Sequence, residues 1–176
     1  MSASLPTRIG VVAVGGAVGA ALRYTTELVL PERELPWGTL AANLLGCVLV
    51  AAVIVLLEET RRAAAAGMLP ADIDIDVDLE VEQQAYDVPA LGRLAAPALL
   101  GERGMLLRLL LGTGLGGGLT TFSTFAVDIV DLFDEGRPRA AVAYASITIT
   151  LGIVLVSLTA TLTRRAVPRL FPGRQP

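Results

Sequence analysis

The chain has no histidine and no lysine, and its single cysteine, Cys47, stands in an apolar run. Without histidine, the usual zinc ligand sets and the histidine-based acid–base and triad chemistries have no residues to work with. One cysteine closes no disulfide within a chain and builds no thiolate metal centre. These absences remove most enzyme classes, and the expectation is a protein that is not an enzyme. Positive charge is also scarce: 14 arginines face 17 acids for a formal net charge of −3, which leaves no basic footprint for nucleic acid. Aromatic residues make up only 5% of the chain, so Phe122 and Phe125, three apart, stand out.

What is abundant is apolar surface. Of 176 residues 53% are hydrophobic and the mean hydropathy is +0.64, far above an ordinary soluble domain of this size. Four stretches, about 9–30, 38–57, 105–133 and 140–163, approach the ~20 residues that cross a bilayer. The sequence therefore predicts an all-α integral membrane protein, a single domain over 1–176 with four transmembrane helices. Arg8 ahead of Ile9 gives the first stretch the look of a signal peptide, but three further spans come after it and the helix is expected to be retained. Within it Gly15 and Gly19 form a small-xxx-small pair for close helix approach. Arg23 is placed either to snorkel to the interface or to serve function. Trp37 stands where an interfacial anchor belongs. Asn43, in the second span, reads either as helix–helix glue or as a pore-lining donor.

Residues 58–103 form a long extramembrane insertion between spans two and three, with acids alternating with branched apolars from Asp72 to Glu82. The alternation lacks the glycine turn and spacing of an EF-hand loop, so calcium is not expected. In the last span Tyr144 and Thr148 share one face, and Ser146, Thr150, Ser157 and Thr161 another. Such hydroxyls often bond their own carbonyls one turn back, so neither stripe by itself marks a conduit. With four spans, both termini and the 58–103 insertion lie on one side. That side carries Arg8, Arg61, Arg62, Arg93, Arg103, Arg164, Arg165, Arg169 and Arg174 against mainly Arg33, Arg137 and Arg139 on the other. The positive-inside rule places both termini in the cytoplasm.

The third span holds the most unusual stretch, Gly112-Thr-Gly-Leu-Gly-Gly-Gly-Leu-Thr-Thr-Phe-Ser-Thr-Phe125. Each interior glycine costs about 1 kcal/mol of helix relative to alanine. Its G-x-G-x-x-G match lacks the strand-turn-helix context of a dinucleotide site. Close packing through Gly112 and Gly116 explains the glycines but not the hydroxyl and aromatic residues next to them. The residues from Gly112 to Thr121 are read as a backbone break at membrane depth, where freed carbonyls suit a hard monovalent cation and the next half-helix N-terminus carries partial positive charge. Phe122 and Phe125, on one face, offer ring edges to an anion, with Asn43, Thr121, Ser123 and Thr124 as hydrogen-bonding groups.

At these residues the sequence resembles the Fluc or CrcB family of fluoride channels. The resemblance covers Gly15-Gly16 to Gly19 with Arg23-Tyr24, Gly38-Thr39 with Asn43 and Gly46, Gly116 to Phe125, and Tyr144 with Thr148 and Gly152. It implies a passive fluoride exporter of the bacterial plasma membrane, built as an antiparallel dual-topology dimer with two pores. It further implies a fluoride path along Asn43, Phe122, Ser123, Thr124, Phe125, Tyr144 and Thr148, with Arg23 in an aqueous vestibule. A structural Na+ would be held at the dimer interface by the Gly117 and Thr120 carbonyls of each subunit. Two features depart from the family pattern: Asp128 stands where glutamate is expected, and the acidic insertion is longer than the usual connection. The arginine bias points to a heterodimer with an oppositely oriented paralogue as the alternative to a homodimer. The competing functions are a small four-span proton-coupled multidrug transporter, which needs a carboxylate well inside a span, and a non-transporting membrane assembly subunit.

Overall fold

Ser4 opens the first helix by accepting the Thr7 amide on its hydroxyl at 3.4 Å, with Pro6 in the first turn where a missing N–H costs nothing. The computed structural model describes residues 3–30, 34–65 and 101–170, excluding the side chains of 63–65 and 168–170. Helix α1 spans Leu5–Val29 and α2 spans Trp37–Ala65. A third span, Gly101–Asp134, is composite: α3 (Gly101–Leu107), a π-helical stretch (Arg108–Gly116), one further helical turn (Gly117–Leu119), a break at Thr120 and Thr121, and α4 (Phe122–Asp134). Helix α5, Pro138–Leu170, closes the described chain. Among the described residues four helical stretches are long and apolar enough to cross a membrane, and the third helix is broken. The acidic Asp72–Glu82 run, Arg33, Arg93 and Arg174 lie outside the described residues.

Helix α2 is the centre of the bundle, packing against α1, the π-helical stretch and α5. Helix α1 lies chiefly along the π-helical stretch and the turn after it. Between helices in lipid there is no hydrophobic driving force, so backbones must come close enough for dispersion contacts to count. Glycine makes that approach here. A β-carbon on Gly15 would collide with Leu110 O and lie 2.9 Å from Leu115 N, and one on Gly114 would sit 2.8 Å from Val12 O. One on Gly118 would meet the Gly16 carbonyl.

The third helix is broken within Gly112 to Thr121, as the sequence suggested, but at the end of that stretch rather than at its glycines. The glycines stay helical, in part with wider π turns, and Gly114, Gly116 and Gly118 are in close contact with their neighbours. The break falls at Thr120 and Thr121, where no glycine stands. Both have extended backbones, with φ −82°, ψ 149° and φ −147°, ψ 121°.

A small core of Leu40, Phe125, Leu132, Ala141 and Tyr144 joins α2, α4 and α5. Large apolar side chains elsewhere, from Ile9 and Val14 on α1 to Ile153 and Leu162 on α5, face outward, as a lipid-facing surface requires. Trp37, the first residue of α2, is 42% exposed. Across the bundle end, Arg137 bonds the Glu34 carbonyl and Glu135 Oε2 (3.0 Å), tying the α1–α2 connection to the α4–α5 turn. Gly136, with φ +73°, supplies the left-handed residue that this turn needs.

Candidate functional site

A residue in extended conformation points its own N–H and C=O to the same side, and at Thr121 that side faces α2. Asn43 meets both groups: the Thr121 amide donates to Asn43 Oδ1 at 2.7 Å, and Asn43 Nδ2 donates to the Thr121 carbonyl at 3.1 Å. One carboxamide thus satisfies two backbone groups that a helix break would otherwise leave unpaired in a water-poor environment. Of the two sequence readings of Asn43, this is the glue, directed at the break itself.

Thr121 is also the N-cap of α4. Its Oγ1 accepts the Thr124 amide at 3.1 Å, and the same hydroxyl donates to Thr124 Oγ1 at 3.0 Å and lies 3.2 Å from Ser123 Oγ. The sequence names Thr121 only as a hydrogen-bonding group, not as this cap. Three hydroxyls therefore gather at the N-terminus of a 13-residue helix, where unpaired amides and the helix dipole both favour negative charge. On the upstream side Thr120 closes the preceding turn, its amide and hydroxyl both donating to Gly116 O, at 3.0 and 2.9 Å.

From this cluster the aromatic residues lead inward. Phe122 is 81% exposed and Phe125 only 9%. Their ring centroids are 6.0 Å apart at 46°, and Phe125 is in turn 5.4 Å from Tyr144 at 45°. Such tilts turn an edge of one ring toward the face of the next, leaving other ring edges, which carry positive partial charge, available to an anion. Tyr144 is fully buried and donates its hydroxyl to Asp128 Oδ2 at 3.0 Å. The buried Thr39 hydroxyl is a further hydrogen-bonding neighbour of this carboxylate. Asp128 also lines a crevice of about 120 Å³ with Glu34, Asp131, Glu135 and Arg137.

The structure therefore brings Asn43, Ser123, Thr124, Phe125, Tyr144 and the exposed Phe122 around one break. Two predicted residues lie apart. Thr148 donates its hydroxyl to the Tyr144 carbonyl at 2.7 Å, the local bond common to hydroxyls in membrane helices. Arg23 pairs with Glu27 at 3.8 Å near the end of α1. Sequence reasoning missed Asp128 as the partner of Tyr144. Sixteen residues and a helical hairpin separate them, and no local pattern announces such a contact. Among the described residues no group of histidine, cysteine or acidic side chains is arranged to hold a metal ion.

Fold and site define a small four-span membrane protein whose third span opens into a capped break lined by hydroxyls and aromatic rings. The chain belongs to the CrcB family: the family described as "CrcB-like protein, Camphor Resistance (CrcB)" matches residues 10–160. Among its relatives is fluoride-specific ion channel FluC 2 of Streptomyces avermitilis, 32% identical over 143 residues, which are 80% of this chain and 65% of that one. Fluoride-specific ion channel FluC 1 of Streptomyces coelicolor is 31% identical over 159 residues, 89% of this chain and 77% of the relative. Fluoride-specific ion channel FluC of Rhizobium etli is 32% identical over 148 residues, 82% and 86% respectively.

Proposed function

We propose that the chain is a subunit of a fluoride-selective channel that lets fluoride leave the bacterial cytoplasm passively, across the plasma membrane, and so relieves fluoride toxicity. The observation that carries this reading is the capped break beside the Phe122–Phe125 pair. A half-helix N-terminus, a hydroxyl cluster and ring edges are gathered here. A small, strongly hydrated anion exchanges its water for these neutral groups. The names of the relatives point to the same ion. No covalent bond to the ion is made or broken, so the protein is not an enzyme.

Fluoride passes along Phe122, Ser123, Thr124, Phe125 and Tyr144. Asn43 borders this path, Thr148 lies one turn beyond Tyr144, and Arg23 stands in a vestibule. One four-helix chain encloses no complete path, and Phe122 is left on its outside. A second subunit, a copy of this chain or a paralogue, inserts in the opposite orientation and covers that face. The Gly117 and Thr120 carbonyls would hold a sodium ion at the interface. Carbonyl oxygens are the donor set that such a hard monovalent ion takes, and the ion would supply positive charge at the break. Both termini face the cytoplasm, as the arginine bias directs.

The multidrug-transporter reading is less well supported. The carboxylates it would need are engaged, Asp128 by Tyr144 and Glu27 by Arg23. Reconstitution in liposomes with a fluoride electrode tests the proposal. Fluoride efflux well above chloride efflux is expected, and no fluoride-selective flux, with or without a candidate partner subunit, would overturn it.

A further inference from the structure

In an unbroken helix the Thr121 amide would close on the Gly117 carbonyl, and the Thr124 amide on the Thr120 carbonyl, one turn back in each case. Both amides are taken elsewhere. Thr121 N–H goes to Asn43 Oδ1 at 2.7 Å, and Thr124 N–H goes to Thr121 Oγ1 at 3.1 Å. The last regular bond before the break is Thr120 N–H to Gly116 O, at 3.0 Å. The extended backbone at Thr120 and Thr121 interrupts the helical ladder, and these two side chains hold two of the displaced donors, those whose helical acceptors would be the carbonyls of Gly117 and Thr120.

The two diversions differ in kind. Thr121 caps its own helix, a local event that many N-termini share. Asn43 acts from another helix, and its second bond, Nδ2 to the Thr121 carbonyl at 3.1 Å, fixes which way round the carboxamide sits, so that Oδ1 faces the amide. The same face of α2 holds the preceding residue too. Gly46 has no side chain, and Thr120 Cγ2 occupies the space a β-carbon would need.

We propose that Asn43 is a positioning residue for the cation site. By holding the Thr121 amide it keeps the Gly117 carbonyl out of the helical ladder and free to face a monovalent cation. This rests on the sodium site proposed for the subunit interface and assigns Asn43 a role distinct from contact with the anion. Asn43→Asp keeps the oxygen that accepts the Thr121 amide. Asn43→Leu, of similar size, has no acceptor, and the amide falls back on Gly117 O.

The test is the Na+ response of the apparent Tm of the purified full chain in detergent, titrated against N-methylglucamine at constant ionic strength. Wild type and Asn43→Asp are expected to be stabilised by Na+, and Asn43→Leu to lose at least about tenfold in apparent Na+ affinity. A folded Asn43→Leu protein with the wild-type Na+ response overturns the proposal and leaves the cation site standing. A wild-type chain indifferent to Na+ overturns the cation site and the proposal with it. Where Asn43→Leu fails to assemble, Asn43→Asp decides: its acceptor is intact, so loss of the Na+ response in the folded protein overturns the proposal. The readout is the slope against Na+, which a general loss of stability does not move, and it is independent of fluoride flux.

Discussion

Phe122 and Phe125 sit three residues apart on one helix, yet one is 81% exposed and the other 9%. The buried ring is fixed by Tyr144, whose hydroxyl is anchored on Asp128, whereas the exposed ring has its neighbour Phe125 on one side only. Replacing either ring by an aliphatic group of comparable bulk removes the edge electrostatics. Phe122→Ile and Phe125→Ile are each expected to reduce fluoride efflux about tenfold, the effect of losing about 1.4 kcal/mol at the barrier. Unchanged flux in correctly assembled protein would contradict the ring-edge mechanism. Tyr144→Phe removes only the hydroxyl. It leaves the Asp128 carboxylate without this donor and is expected to cost about 1 kcal/mol of stability, seen as a lower apparent Tm. No change in Tm would mean that the bond contributes nothing to the fold.

Among the elements, the contact of α1 with the third span is made of backbone, and backbone does not yield as a side chain does. A β-carbon on Gly19 would press on Leu115 O and lie 2.7 Å from Leu119 N, so Gly19→Ala is expected to destabilise by about 1–3 kcal/mol. Gly10 is the control. Nothing lies within 4 Å of a β-carbon there, so Gly10→Ala should leave the apparent Tm unchanged or raise it through better helix propensity. Equal losses at the two sites would show that α1 does not pack as described. The same contact shows how far the sequence could be read. Hydropathy is a property of each stretch alone, so the four spans were legible. The cap at Thr121 was not read from the sequence, which offers Thr121 only as a hydrogen-bonding group. The break was legible within Gly112 to Thr121, but not its place at Thr120 and Thr121, since glycine permits both a break and a close approach and only the neighbouring helix decides between them. Asn43 was visible as a polar residue in an apolar span, but its target lies 78 residues away and no spacing rule reaches that far.

For the whole molecule, the arginine bias bears on the identity of the second subunit. Under the antiparallel pairing proposed above, a chain that inserts one way does not by itself supply the inverted copy. Reconstituted alone, this chain is therefore expected to give much less fluoride efflux than when co-expressed with an oppositely biased relative. Full efflux from the chain alone would show that it pairs with itself. The clasp between Asn43 and Thr121 also says something about the order of events during synthesis. When the third span enters the bilayer, its amides have to find partners within the span, which favours a continuous helix. The carboxamide that opens that helix belongs to a span already inserted and becomes effective only once the two helices lie side by side. The ion-handling conformation is thus a late product of helix docking, and a third span without α2 beside it would remain a plain membrane anchor.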